Sequence, residues 1–128
     1  MGYFIPATAG GQGARYDLQG RRRLGTTTAP TVTVGAAAGT GAAAATVAGT
    51  DEFGIVSVTM GTSPTTGVLA TVTFAVAYDA VPSIVILQDQ DGKATSITYT
   101  VTATQLVISV GAAITGNTKI NYMVVGPA

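Results

Sequence analysis

Between residues 67 and 78 the chain reads Gly-Val-Leu-Ala-Thr-Val-Thr-Phe-Ala-Val-Ala-Tyr, and it alternates. Val68, Ala70, Val72, Phe74, Val76 and Tyr78 share one side of a period of two, while Leu69, Thr71, Thr73, Ala75 and Ala77 share the other. A helix would scatter both sets around its axis, whereas a strand sends them to opposite faces of a sheet. The spacing predicts a central strand over 67–78. Its Val/Phe/Tyr face meets a core, and its small, hydroxylated face meets a close neighbour. Val81-Pro82 closes the segment, because proline has no donor for the ladder and biases the residue before it to extended geometry.

Other segments follow at the spacing of an all-β sandwich or barrel. Residues 53–60 form a strand, and the Gly/Thr/Ser/Pro cluster at 61–67 forms a turn. In 83–88 the run Ile84-Val85-Ile86-Leu87 is apolar on both faces, which predicts an interior strand or one sealed by another subunit. Ile97, Tyr99, Val101 and Ala103 alternate with Ser96, Thr98, Thr100 and Thr102 in a half-buried strand. Residues 106–110 pair back on it as a hairpin through Thr104-Gln105, and 119–125 form the last strand. The one helical expectation is a single turn at 112–114. Upstream, residues 29–50 are low in complexity, with a short strand at 31–34 and then glycines and alanines that permit close backbone approach. The reading is an all-β, jelly-roll-like antiparallel β-sandwich over 51–128, with an extended glycine/alanine-rich N-terminal arm over 1–50. Val68, Val72, Phe74, Val76, Tyr78, Ile84, Ile86 and Tyr122 are assigned to its core or to a trimer contact.

Composition adds a reason for the trimer. A chain of 128 residues makes one domain, which buries roughly two thirds of its unfolded surface. Only 9% of residues are charged, against about 25% in ordinary proteins, and the formal net charge is zero. Apolar residues make up 47% and the mean hydropathy is +0.45, yet no run approaches the ~18 apolar residues of a membrane helix. A surface this poor in charge is best accommodated by contact with other subunits. The balance of charge leaves no broad basic face for free nucleic acid and no field that attracts a membrane.

Cysteine and histidine are both absent. That removes thiolate and imidazole metal sites and the common nucleophile–base pairs, so the chain reads as a non-enzyme without cofactor or metal. Asp89-x-Asp91-Gly92 resembles the opening of a calcium loop but lacks the later ligands, and an Asp-Gly turn explains the same residues. Asp51-Glu52 is an adjacent pair that a strand would point to opposite faces, which argues against an acid/base dyad. Tyr78, Tyr99 and Tyr122 read as core aromatics with a polar tip rather than as sugar platforms.

The first thirty residues carry Arg15, Arg21, Arg22 and Arg23 against Asp17 alone, with Tyr3, Phe4 and Ile5 as a small apolar anchor. We read them as an arm lying on a partner, the arginines being either a solvated cluster or a contact with carboxylates or phosphates there.

The stretch 67–75 with Ala77-Tyr78, Pro82 before an apolar strand, and the ending Gly116-Asn117-Thr118-Lys119-Ile120-Asn121-Tyr122-Met123-Val124-Val125-Gly126 together resemble a recurrent bacteriophage domain. It is found in small virion decoration proteins and at the tips of head and tail fibres. The resemblance covers about residues 55–126 and implies a trimerising β-sandwich in virion structure or host attachment. A fibre tip would follow a long shaft, whereas here only the arm precedes the domain. The expectation is therefore a capsid cement or decoration protein on the virion surface, a homotrimer bound to the major capsid protein. The alternative is a short tail-fibre or baseplate tip that binds a host-surface saccharide.

Overall fold

Eight strands and one 3-10 turn make up residues 28–126, the part of the chain that the computed structural model describes. The strands are β1 (Thr31–Val34), β2 (Ala44–Gly49), β3 (Phe53–Thr59), β4 (Gly67–Thr73), β5 (Ile84–Asp89), β6 (Ile97–Val101), β7 (Gln105–Val110) and β8 (Thr118–Val125). They form two four-stranded sheets, β1-β4-β7-β6 and β2-β3-β8-β5, in which every pairing is antiparallel. Leu69, Ala70, Val72, Leu106, Ile108 and Val110 of one sheet meet Val56, Val58, Ile120, Tyr122 and Val124 of the other in a single buried core. The expected antiparallel β-sandwich is present. Its first and last strands lie in different sheets, so the strand order is not that of a jelly roll, where those two are neighbours.

The sandwich begins earlier than the sequence suggests. β1 pairs with β4 and β2 with β3, so residues 31–50 belong to the sheets and not to an arm. Between them the 3-10 turn Ala36–Ala38 places Ala37 and Ala38 in the core, both fully buried. Their carbonyls accept Thr65 N–H at 3.0 Å and Gly61 N–H at 2.8 Å. Small residues make this possible, because the attachment is backbone to backbone. A Cβ on Gly35 would stand 2.2 Å from the Val68 carbonyl oxygen, and Gly35 N–H donates to Leu69 O at 2.8 Å. This turn replaces the one expected at 112–114, where Ile114 is buried in an irregular segment.

β4 lies inside its sheet, as the alternation predicts, but the alternation does not run through it. Val68 pairs with Ser109 and Ala70 with Ile108, leaving Leu69 as the extra residue of a β-bulge. Leu69 and Ala70 are therefore both buried, and Val68 turns outward at 38% exposure. Val68 is not a core residue. Nor is Val76, which is 62% exposed, because the strand ends at Thr73 and the chain leaves the sheet. Val72 and Phe74 are buried as expected, and Tyr78 is half-buried with its ring edge-on to Phe74 at 5.0 Å.

That exit is held by Asp51. Thr50 N–H donates to Phe53 O at 2.9 Å across the tight β2–β3 connection, which aims the Asp51 side chain inward, 2% exposed. Its Oδ1 accepts Ala75 N–H at 2.7 Å and its Oδ2 accepts Val76 N–H at 3.0 Å. Phe74 N–H and Tyr78 N–H reach Thr104 O and Ala103 O. Charged acceptors make the stronger hydrogen bonds, so two donors on one carboxylate replace ladder bonds that the strand no longer forms.

β5 is an edge strand rather than an interior one, with Ile84 51% and Ile86 55% exposed. As core residues both are misassigned.

Two substitutions test this account by chemical denaturation. Asp51→Ala should lower stability by about 2–4 kcal/mol, since hydrogen bonds to charged groups contribute roughly 1.5–3 kcal/mol each. Gly35→Ala should cost about 1–3 kcal/mol through overpacking against backbone that cannot move aside. Unchanged midpoints would refute the tether and the close approach respectively.

Candidate interaction surface

Residues directly opposite each other in an antiparallel sheet share a face. On β2-β3-β8-β5 the registers Phe53–Met123–Ile86 and Ile55–Asn121–Gln88 define two rows across β3, β8 and β5, and Val125–Ile84 begins a third. Val56, Val58, Ile120, Tyr122 and Val124 alternate with these residues and fill the core. The first set must face away from it. Phe53, Ile55, Ile84, Ile86 and Met123 are 41, 36, 51, 55 and 37% exposed. An antiparallel sheet with one wet face normally makes that face polar; this one is apolar on both. Toward the other end the rows become polar, through Thr46, Ser57 and Lys119.

Within the patch, Asn121 donates Nδ2–H to Gln88 Oε1 at 3.2 Å. Its Oδ1 is buried without a hydrogen-bond partner, the single such side-chain atom among the described residues. The outer face of the other sheet is different in kind. Thr33, Thr71, Val107 and Thr100 form one row across its four strands, and Thr31, Thr73 and Gln105 form part of another. The hydroxylated face expected from the alternation is therefore an outward face.

Of the residues singled out in the sequence, Val72, Phe74 and Tyr122 are core. Val76 lies on the loop after β4, and Val68 lies on the threonine-rich face. Ile84 and Ile86 come together with Phe53, Ile55 and Met123. The last three were not anticipated, although Ile55-Val56 and Tyr122-Met123-Val124 carry a signal, since apolar residues in succession break a period of two. Tyr99 is 44% exposed on the edge strand β6 and is not a core aromatic. Tyr3, Phe4, Ile5, Arg15, Arg21, Arg22 and Arg23 lie outside the described residues.

The candidate chemical sites resolve into structural ones. Asp89 Oδ1 accepts from Asp91 N–H at 3.1 Å and from the Thr118 hydroxyl at 3.3 Å, and Oδ2 accepts Ala94 N–H at 2.6 Å. Its carboxylate thus closes the turn from within. Lys93 Nζ donates to Asn117 O at 2.9 Å, and Asn117 Oδ1 accepts Met60 N–H at 3.0 Å, at the rim of a groove lined by Met60, Pro64 and Ile114. Tyr122 is 3% exposed and its hydroxyl donates to Thr50 O. Burial, with smaller contributions from the nearby Asp51 and Glu52 charges, raises its hydroxyl well above the usual tyrosine range.

No family model, no curated protein and no solved structure matches this chain.

Two measurements check these assignments. A tyrosine raised in the folded state binds its proton more tightly there than in the unfolded chain. The stability this provides is complete below the unfolded value of about 10 and declines as pH rises beyond it. Tyr122→Phe should therefore be less stable than the parent at pH 7, where its hydrogen bond is missed, and should lose less between pH 10 and 12. Parallel losses in both proteins would contradict the assignment. At Asp89, EDTA and millimolar calcium should each leave the melting temperature unchanged. A rise of several degrees with calcium would show that the loop is a metal site.

Proposed function

We propose that the protein is a structural component of a bacteriophage virion, a capsid cement or decoration protein. It would act as a trimer that binds the outer shell through the major capsid protein and stabilises it. One observation carries this reading: a small sandwich, from a chain with only 9% charged residues, presents five large apolar side chains on one outward face. Such a face is suited to lasting protein–protein contact. The resemblance of residues 55–126 to phage decoration and fibre-tip domains supplies the setting.

Cement works through numbers. Many copies, each adding a modest contact, resist internal pressure by multivalency, with no single tight site required. The basic, aromatic-tipped segment over residues 1–24 is the element proposed to lie on the shell. Tyr3, Phe4 and Ile5 would enter an apolar groove, and Arg15 and Arg21 to Arg23 would pair with carboxylates. In the alternative, a fibre or baseplate tip, host-surface saccharide is the ligand, and exposed Tyr99 is the aromatic placed to stack on it.

Removing residues 1–24 separates the two readings, because β1 and all that follows it remain. The shortened protein should melt within a few degrees of the full chain. Its binding to undecorated capsids should fall by orders of magnitude, while salt should weaken the full chain only in part, since the apolar anchor is not screened. Undiminished capsid binding without the segment would end the cement-arm mechanism. Adsorption of the shortened protein to host cells would favour the saccharide-binding tip.

A further inference from the structure

We infer that the outer face of β3, β8 and β5 is the surface through which copies of this chain associate, its occupant being a neighbouring copy, with the like faces of the three subunits meeting around the axis of the proposed trimer. This rests on the reading of the protein as an assembly-forming virion component and says which of its two outward faces makes the contact. The alternation in residues 67–78 directs attention to the threonine-rich face instead.

Area is the first argument. Phe53, Ile55, Ile84, Ile86 and Met123 are contiguous through the rows Phe53–Met123–Ile86 and Ile55–Asn121–Gln88, each between 36 and 55% exposed. Together they present roughly 400–500 Å² of apolar surface, within the ~300–600 Å² range of the largest patch on an ordinary monomer. That is also about half of the ~800 Å² that each partner contributes to a standard interface. Val125, Ala48 and Gln88 extend the same face around that cluster. The threonine-rich face offers no comparable cluster, since its one large exposed apolar side chain is Val68.

Composition of the patch points to a copy of itself. It holds no charged side chain: the residues on its rows are Phe, Ile, Met, Val, Asn and Gln. A like face can therefore meet it without like charges being brought together, which a charged face could not do. The edge position of β5 adds to this. With two exposed isoleucines and no lysine or proline between Ile84 and Asp89, this edge has the terminal Asp89 as its one charged guard, and a copy laid over the outer face would take both isoleucines out of water.

The test uses the full chain at micromolar concentration, with light scattering for mass and circular dichroism for fold. Ile86→Lys is placed on an exposed edge position, where lysine is tolerated. Thr100→Lys is the matching change on the threonine-rich face. The expected result is an oligomeric parent, an Ile86→Lys protein that is folded but monomeric, and a Thr100→Lys protein that stays oligomeric. Because the chain contains no cysteine, Ile86→Cys and Thr100→Cys each introduce a sole thiol. The thiol at position 86 should react with a soluble disulfide reagent at least tenfold more slowly than the one at 100. An oligomer dispersed by Thr100→Lys and untouched by Ile86→Lys overturns this inference and leaves the assembly reading standing. A parent that is monomeric at all concentrations and does not bind capsids overturns both. A monomer whose capsid binding is abolished by Ile86→Lys shows that the face belongs to the shell and not to a second copy.

Discussion

A single buried carboxylate decides where the organising strand ends. Asp51 stands on the short connection between β2 and β3 in one sheet, and its two oxygens take the N–H groups of Ala75 and Val76 as the chain leaves β4 in the other. Without that pair of acceptors, continued extension of the alternating sequence would be the natural outcome. With it, the strand stops at Thr73 and Phe74 turns into the end of the core, edge-on to Tyr78. Tyr122 and Tyr78 contribute to the same end, donating to the Thr50 and Asp51 carbonyls respectively. One end of the sandwich is thus sealed by the bonds from Ala75, Val76 and Tyr78 to Asp51, which cross between sheets, with Tyr122 holding Thr50 from within its own sheet.

The opposite end is sealed by a different device. There the chain passes from β1 to β2 through the 3-10 turn, whose alanines lie in the core and whose carbonyls take N–H groups from the β3–β4 connection. An isolated bridge between Thr40 and Thr62 completes the seam. Gly39 is required twice over: its φ is +93°, and a Cβ there would stand 2.4 Å from the Thr62 carbonyl oxygen. Backbone in contact with backbone leaves no room for side chains, which is why this part of the sequence is almost entirely Gly, Ala and Thr.

That economy explains what could be read from the sequence. The strands from β3 onward, the β6–β7 hairpin and the turn at Asp89 were legible, because alternation and turn residues report on side chains facing a core. β1 was visible for the same reason. β2, Ala-Ala-Thr-Val-Ala-Gly, was not, since its place in the sheet depends on pairing with β3 and not on buried volume. The bulge at Leu69 was hidden as well: a period of two cannot announce the one residue that breaks it, and the break sends Val68 to the wrong face. The outward patch was half legible. Ile84 and Ile86 stood out in a run apolar on both sides, while Phe53, Ile55 and Met123 were absorbed into strands already assigned to the core. A single chain offers no way to tell an interior strand from an edge strand that another copy will cover, because both require apolar residues on two faces.

This last ambiguity has a physical meaning. The sheet β2-β3-β8-β5 is built like the middle layer of something larger: one face fills the sandwich core, and the other repeats the same kind of side chain outward. Its partner sheet is built like an outer layer, with valine and leucine within and threonine without. A monomer in water gains nothing from such asymmetry, since the apolar patch then stands against solvent at about 25 cal/mol for each Å². In an assembly the asymmetry is what orients each copy. Apolar faces turn toward one another and threonine faces turn toward water, and the lack of charged side chains on the rows of the apolar patch keeps like charges from being pressed together there. The same property that would make the isolated chain poorly dispersed makes a dense array of it feasible, as the proposed role on a capsid surface demands.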